Sequence, residues 1–70
     1  MLYVLKIKGT TTIPDFVQIR DENMTLQAYF RLSQVEKGLK KNNLENESEG
    51  ITSLLKKIPF GKIHKYNTNE

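Results

Sequence analysis

In the stretch TLQAYFRL, residues 25–32, the apolar residues fall on every second position: Leu26, Ala28, Phe30 and Leu32. Gln27, Tyr29 and Arg31 take the places between them. Successive side chains of a strand point to opposite faces, so this spacing predicts a strand with one buried face and one open face. A helix fits the pattern less well. Residues 26, 29 and 30 would share one side while 28 and 32 fell on the flank, which spreads apolar groups around the cylinder.

A strand needs neighbours, and two earlier segments supply them. Residues 2–8, LYVLKIK, set Tyr3, Leu5 and Ile7 against Leu2, Val4, Lys6 and Lys8. Residues 16–20, FVQIR, set Val17 and Ile19 against Phe16, Gln18 and Arg20. Gly9 and Pro14 break the chain between them, because proline has no N–H to give to a ladder. Asp21 and Asn23 in DENM favour a tight connection into the 25–32 strand.

The pattern changes at SQVE. Ser33 followed by Glu36 is the spacing of a capping box, which predicts a helix start. Val35 and Leu39 lie one turn apart and face the sheet, with Lys37, Lys40 and Lys41 opposite. Gly38 inside this helix costs about 1 kcal/mol relative to alanine, so the helix is expected to be short. NNLENESEG reads as a polar connection with Leu44 as an anchor. Ile51, Leu54, Leu55 and Ile58 then have i, i+3, i+4, i+7 spacing, an apolar stripe one helix face wide. Asn46 with Glu49, or Ser48, is placed to cap its start. Lys56 and Lys57 suit its C-terminal end, and Pro59 stops it. KIHKY, residues 62–66, supplies a last short strand. The predicted order is β-β-β-α-α-β, an α+β fold with a small antiparallel sheet of three to four strands and two short helices on one face. Residues 1–67 form one small domain, and 68–70 are expected to fray.

Size and composition bound the function. A chain of 70 residues buries only about 60% of its unfolded surface, so its core is thin. It has no cysteine, which removes disulfides and thiolate metal sites. Its one histidine, His64, cannot form a metal cluster and is expected at the surface or a strand edge. No stretch approaches the ~20 apolar residues of a membrane span, so the expected location is cytoplasmic. Nothing matches a nucleophile–base pair, a converging carboxylate pair, a glycine-rich phosphate loop or a calcium loop. The expectation is a protein that is not an enzyme and holds no cofactor or metal.

What remains is a surface. The alternation puts Lys6, Lys8, Phe16, Arg20, Tyr29 and Arg31 on the sheet face away from the helices, with Leu2 and Val4 beside them. An exposed face this apolar on so small a domain predicts a protein partner or a second copy, as a homodimer. Tyr, Phe and Arg are also the residues that interface centres favour. The same cations and aromatics, with Lys37, Lys40, Lys41, Lys56 and Lys57 of the helices, suit an alternative, a small basic nucleic-acid-binding protein that stacks bases and neutralises phosphates. The net charge of +3 is compatible with either partner.

Overall fold

The computed structural model describes residues 1–67; the tail expected to fray, residues 68–70, lies outside them. The chain forms β1 (Leu2–Ile7), β2 (Phe16–Arg20) and β3 (Leu26–Arg31), then α1 (Val35–Lys41), α2 (Ser48–Lys57) and β4 (Ile63–Tyr66). The four strands make one antiparallel sheet in the order β3-β2-β1-β4. This is the α+β fold and element order expected from the sequence.

The N-terminal strand is central. β1 pairs with β2 along one side, with Val4 opposite Ile19 and Lys6 opposite Val17, and with β4 along the other, with Val4 opposite His64. Residues directly opposite share a sheet face, so one inward row runs His64, Val4, Ile19, Ala28 across the sheet. The helices pack on that row. Leu39 of α1 and Ile51 and Leu55 of α2, followed by Ile58, join Leu2, Val4, Val17, Ile19, Ala28 and Phe30 in one buried cluster. Leu44 and Leu54 pack against its edge, as the anchor and the stripe predict.

Asp21 holds the β2–β3 turn. One carboxylate oxygen accepts from the amides of Asn23 and Thr25 at 2.8 and 3.0 Å, and the other from Gln27 Nε2 at 2.9 Å. Beyond this turn the ladder slips. Ile19 stands opposite Ala28, but Arg20 stands opposite Leu26, leaving Gln27 as an extra residue. A bulge of this kind re-aims side chains. It pairs Leu26 with the outward Arg20 and leaves it 46% exposed, so Leu26 is not the core residue that alternation predicts.

Both predicted helix caps are also corrected. Residues Leu32–Gln34 form a 3₁₀ turn that runs into α1, entered from an extended Arg31, and neither element has a side-chain cap. Ser33 lies inside that turn instead of before it, so its hydroxyl is past the capping position. The turn is tied down by the Leu32 amide, which donates to the Asp15 carbonyl at 2.9 Å. A second 3₁₀ turn, Glu45–Glu47, leads into α2, which likewise has no side-chain cap from Asn46, Ser48 or Glu49.

Glu47 serves another contact. Its carboxylate accepts from the Tyr66 hydroxyl, which joins the start of α2 to the last strand. Burial pushes the Tyr66 pKa up from its usual 10.0, and the Glu47 hydrogen bond and charge add to the rise. A raised pKa means that the neutral phenol is favoured by folding, so its contribution is complete below pH 10 and lost as pH climbs through the folded value. The urea midpoint should therefore fall more between pH 9 and pH 11 for the native chain than for Tyr66→Phe. Equal falls would show that this bond carries no pH dependence.

Candidate functional site

Lys6 overturns the sequence expectation for β1. Leu2, Val4 and Lys6 are the buried side of this strand, and Tyr3, Leu5 and Ile7 its half-buried outward side. Lys6 does not face away from the helices. Its ammonium donates to the Leu55 carbonyl at 2.8 Å and the Ile58 carbonyl at 3.1 Å, at the C-terminal end of α2. Helix C-termini leave carbonyls without intrahelical partners and carry partial negative charge, which is what a buried ammonium needs. The nitrogen also lies 4.4 Å from the centroid of Phe60, a favourable distance for a cation over a ring. Lys8 follows the same side past the strand end, with its nitrogen 5.0 Å from the same ring. The Gly61 amide donates to the Lys6 carbonyl at 2.8 Å, which pins the Phe60 turn against β1.

With β1 turned over, the outer sheet face has a different composition. Strand register sets it out in rows. Arg31, Phe16 and Ile7 form one, Tyr29, Gln18, Leu5 and Ile63 the next, and Leu26, Arg20, Tyr3 and Lys65 the third. Leu5 occupies the middle, with Tyr3 and Ile7 two residues either side of it along β1. The rings of Phe16 and Tyr29 stack at 4.8 Å between centroids and 17° between planes. Tyr29 is 52% and Ile63 49% exposed.

The cations of this face are peripheral. Arg20 is already engaged, donating to the Met24 carbonyl at 2.9 Å and to Gln18 Oε1 at 3.2 Å. Arg31 and Lys65 are exposed at opposite corners. No Asp or Glu stands on the outward positions of the four strands. The structure thus brings Phe16, Arg20, Tyr29 and Arg31 together on the outer face as predicted, and moves Lys6 and Lys8 away from it. Tyr3, Leu5, Ile7, Leu26, Ile63 and Lys65 are the face residues that the sequence reading left out. The signal for them was register: both sides of β1 are apolar, and only pairing against the unambiguous Val17 and Ile19 decides between them.

The remaining chemistry is sparse. His64 lies on an edge strand but shares the inward side of Val4, and its Nε2 is buried without a hydrogen-bond partner among the described residues. Among the described residues no three His, Cys, Asp or Glu side chains gather as a metal site would require. No helix among them is long and apolar enough to cross a membrane. No family model matches the chain, and no curated protein or solved structure matches it either.

Proposed function

We propose that this chain is a non-enzymatic binding module that acts through protein–protein contact on its outer sheet face, with a second copy of itself as the occupant. The observation that supports the reading is the layout of that face: an apolar centre at Leu5, Tyr3, Ile7 and Phe16, with cations only at its margin. Interfaces have this anatomy, a desolvated centre inside a polar rim. A two-fold contact repeats the same patch on both partners, so Leu5 near the axis meets its own copy while Arg31 and Lys65 stay at the corners. Two such faces together make a sandwich core about 10 Å thick, a large addition to a thin monomer core.

Lys6 and Lys8 leave the sheet face on which the nucleic-acid reading partly stood and Lys65 joins it, so its remaining cations, Arg20, Arg31 and Lys65, lie at the margin, which favours a protein occupant. Sedimentation tests the proposal. The native chain should run at twice its monomer mass at micromolar concentration. Leu5→Lys, which places an unpaired charge at the centre, should weaken association by about 100-fold with unchanged circular dichroism. A native chain that sediments as a monomer, or a Leu5→Lys variant that still dimerises, removes the reading. Oligonucleotide binding that falls steeply with salt and is lost in Arg31→Glu would replace it with the nucleic-acid alternative.

A further inference from the structure

A second surface lies at the edge of the sheet, where β3 has β2 on one side and no strand on the other. In an antiparallel ladder every second residue of an edge strand directs its N–H and C=O outward, a template for another strand. Natural edges are usually blunted by charged side chains, proline, a bulge or shortness, and the bulge of β3 is confined to its Leu26 end, away from Tyr29–Arg31. The opposite edge, β4, follows that habit, with four residues, Lys65 within it and Lys62 just before it. β3 has six residues with neither lysine nor proline.

Beside this edge is a groove of about 320 Å³, lined by Phe16, Tyr29 and Phe30 from the sheet and by Arg31, Lys37 and Lys41 at its margin. No acidic side chain lines it. Among the described residues, none of these three cations makes an ion pair or a side-chain hydrogen bond. The chain therefore presents unused backbone groups, stacked aromatic rings and three uncompensated positive charges in one place. Each has an obvious complement in an extended acidic peptide.

We propose that the β3 edge takes up an extended segment of a partner protein as a fifth strand, with acidic residues of that segment against Arg31, Lys37 and Lys41. Main-chain hydrogen bonds supply affinity in such strand additions, and side-chain pockets select the sequence. The groove and its charges select acidic residues at the end that passes α1, with an apolar residue over the Phe16–Tyr29 stack. The proposal rests on the reading of this chain as a protein-binding module; it shares Phe16, Tyr29 and Arg31 with the outer sheet face and adds the β3 edge with Lys37 and Lys41 of α1.

The test is fluorescence anisotropy with a labelled peptide of alternating valine and threonine that ends in three glutamates. The native chain should bind it saturably, and Lys37→Glu/Lys41→Glu should weaken binding by about tenfold, because two attractions become repulsions. The same peptide N-methylated at alternate residues keeps its charges and loses the strand donors, and it should bind about tenfold more weakly as well. No binding by the native chain, or equal binding of the N-methylated peptide, overturns the strand addition. Full affinity in the Lys37→Glu/Lys41→Glu variant overturns the acidic specificity. Displacement of the peptide by a single-stranded oligonucleotide of equal charge at lower concentration would assign the groove to nucleic acid instead. Sedimentation of the same variants distinguishes the two readings: Leu5→Lys should lose the dimer and keep the peptide, and the lysine variant the reverse.

Discussion

Lys6→Met should lower the stability of the fold by about 2–3 kcal/mol, a drop in Tm of roughly 10–20 °C for a chain of this size. Methionine keeps the length of the stem and removes the donors. Two effects oppose each other. Burying an ammonium costs several kcal/mol, and an apolar side chain escapes that cost. The Leu55 and Ile58 carbonyls, however, are backbone and stay where they are when the lysine goes. Leaving buried acceptors unmatched costs about 1–3 kcal/mol each, and hydrogen bonds from a charged donor are the stronger kind. Loss on the acceptor side therefore wins. Thermal unfolding followed by circular dichroism measures the result. A Tm within a degree or two of the native value would mean that the desolvation of the ammonium cancels its bonds. The contrast with the sequence expectation is direct: a lysine on the open face would alter binding and leave Tm alone.

Gly38→Ala should destabilise the protein by about 1–2 kcal/mol, although intrinsic helix propensity alone says that it should stabilise by about 1 kcal/mol. Gly38 is buried where α1 crosses Phe30. A methyl group there would lie 2.5 Å from Cδ2 and 2.8 Å from Cβ of Phe30, and closer still to its Cγ. Moving the ring tip does not relieve a clash with Cβ, so the helix itself has to shift. Overpacking of this kind costs about 1–3 kcal/mol. Phe30→Ala supplies the check, because it removes Cγ and Cδ2, the two nearer atoms, and leaves only the Cβ contact. In that background Gly38→Ala should cost less, giving a coupling of about 1 kcal/mol in a double-mutant cycle from urea denaturation. Equal effects in both backgrounds would place the cost in the helix backbone and not at the ring.

These two residues also show what the sequence could and could not convey. The strand–helix order was legible because period-two and period-3.6 patterns are local, and the stripe Ile51, Leu54, Leu55, Ile58 needed no knowledge of the rest of the chain. The inward sides of β2 and the Ala28–Phe30 part of β3 were legible for the same reason. The orientation of β1 was not. Leu2 and Val4 are as apolar as Leu5 and Ile7, and the cations at 6 and 8 tipped the choice toward solvent. A lysine reaches the core only when something distant receives its charge, and the receiver is the end of a helix 49 residues away in sequence. Gly38 carried more than its propensity told: α1 is short, as expected, and the glycine also marks the close approach of the helix to Phe30. Leu26 left its expected side because one extra residue entered the ladder, which alternation cannot announce. Of the residues on the outer face, Phe16, Arg20, Tyr29 and Arg31 were placed there from the sequence, and Leu26 and those on β1 and β4 were not.

The placement of β1 bears on how the chain is made. Its first strand is the middle of the sheet, and one of its two flanks is the last strand, so Leu2 pairs with Tyr66. During synthesis the β1–β2–β3 meander emerges early, yet β1 has one side unpaired until residues 63–66 are free to fold back along it. Pairing across nearly the whole length of the chain carries a large loop-closure cost and slows the final step. The newly made protein thus passes through an interval in which its most apolar strand has an open edge. Residues 63–66 are the ones that close it.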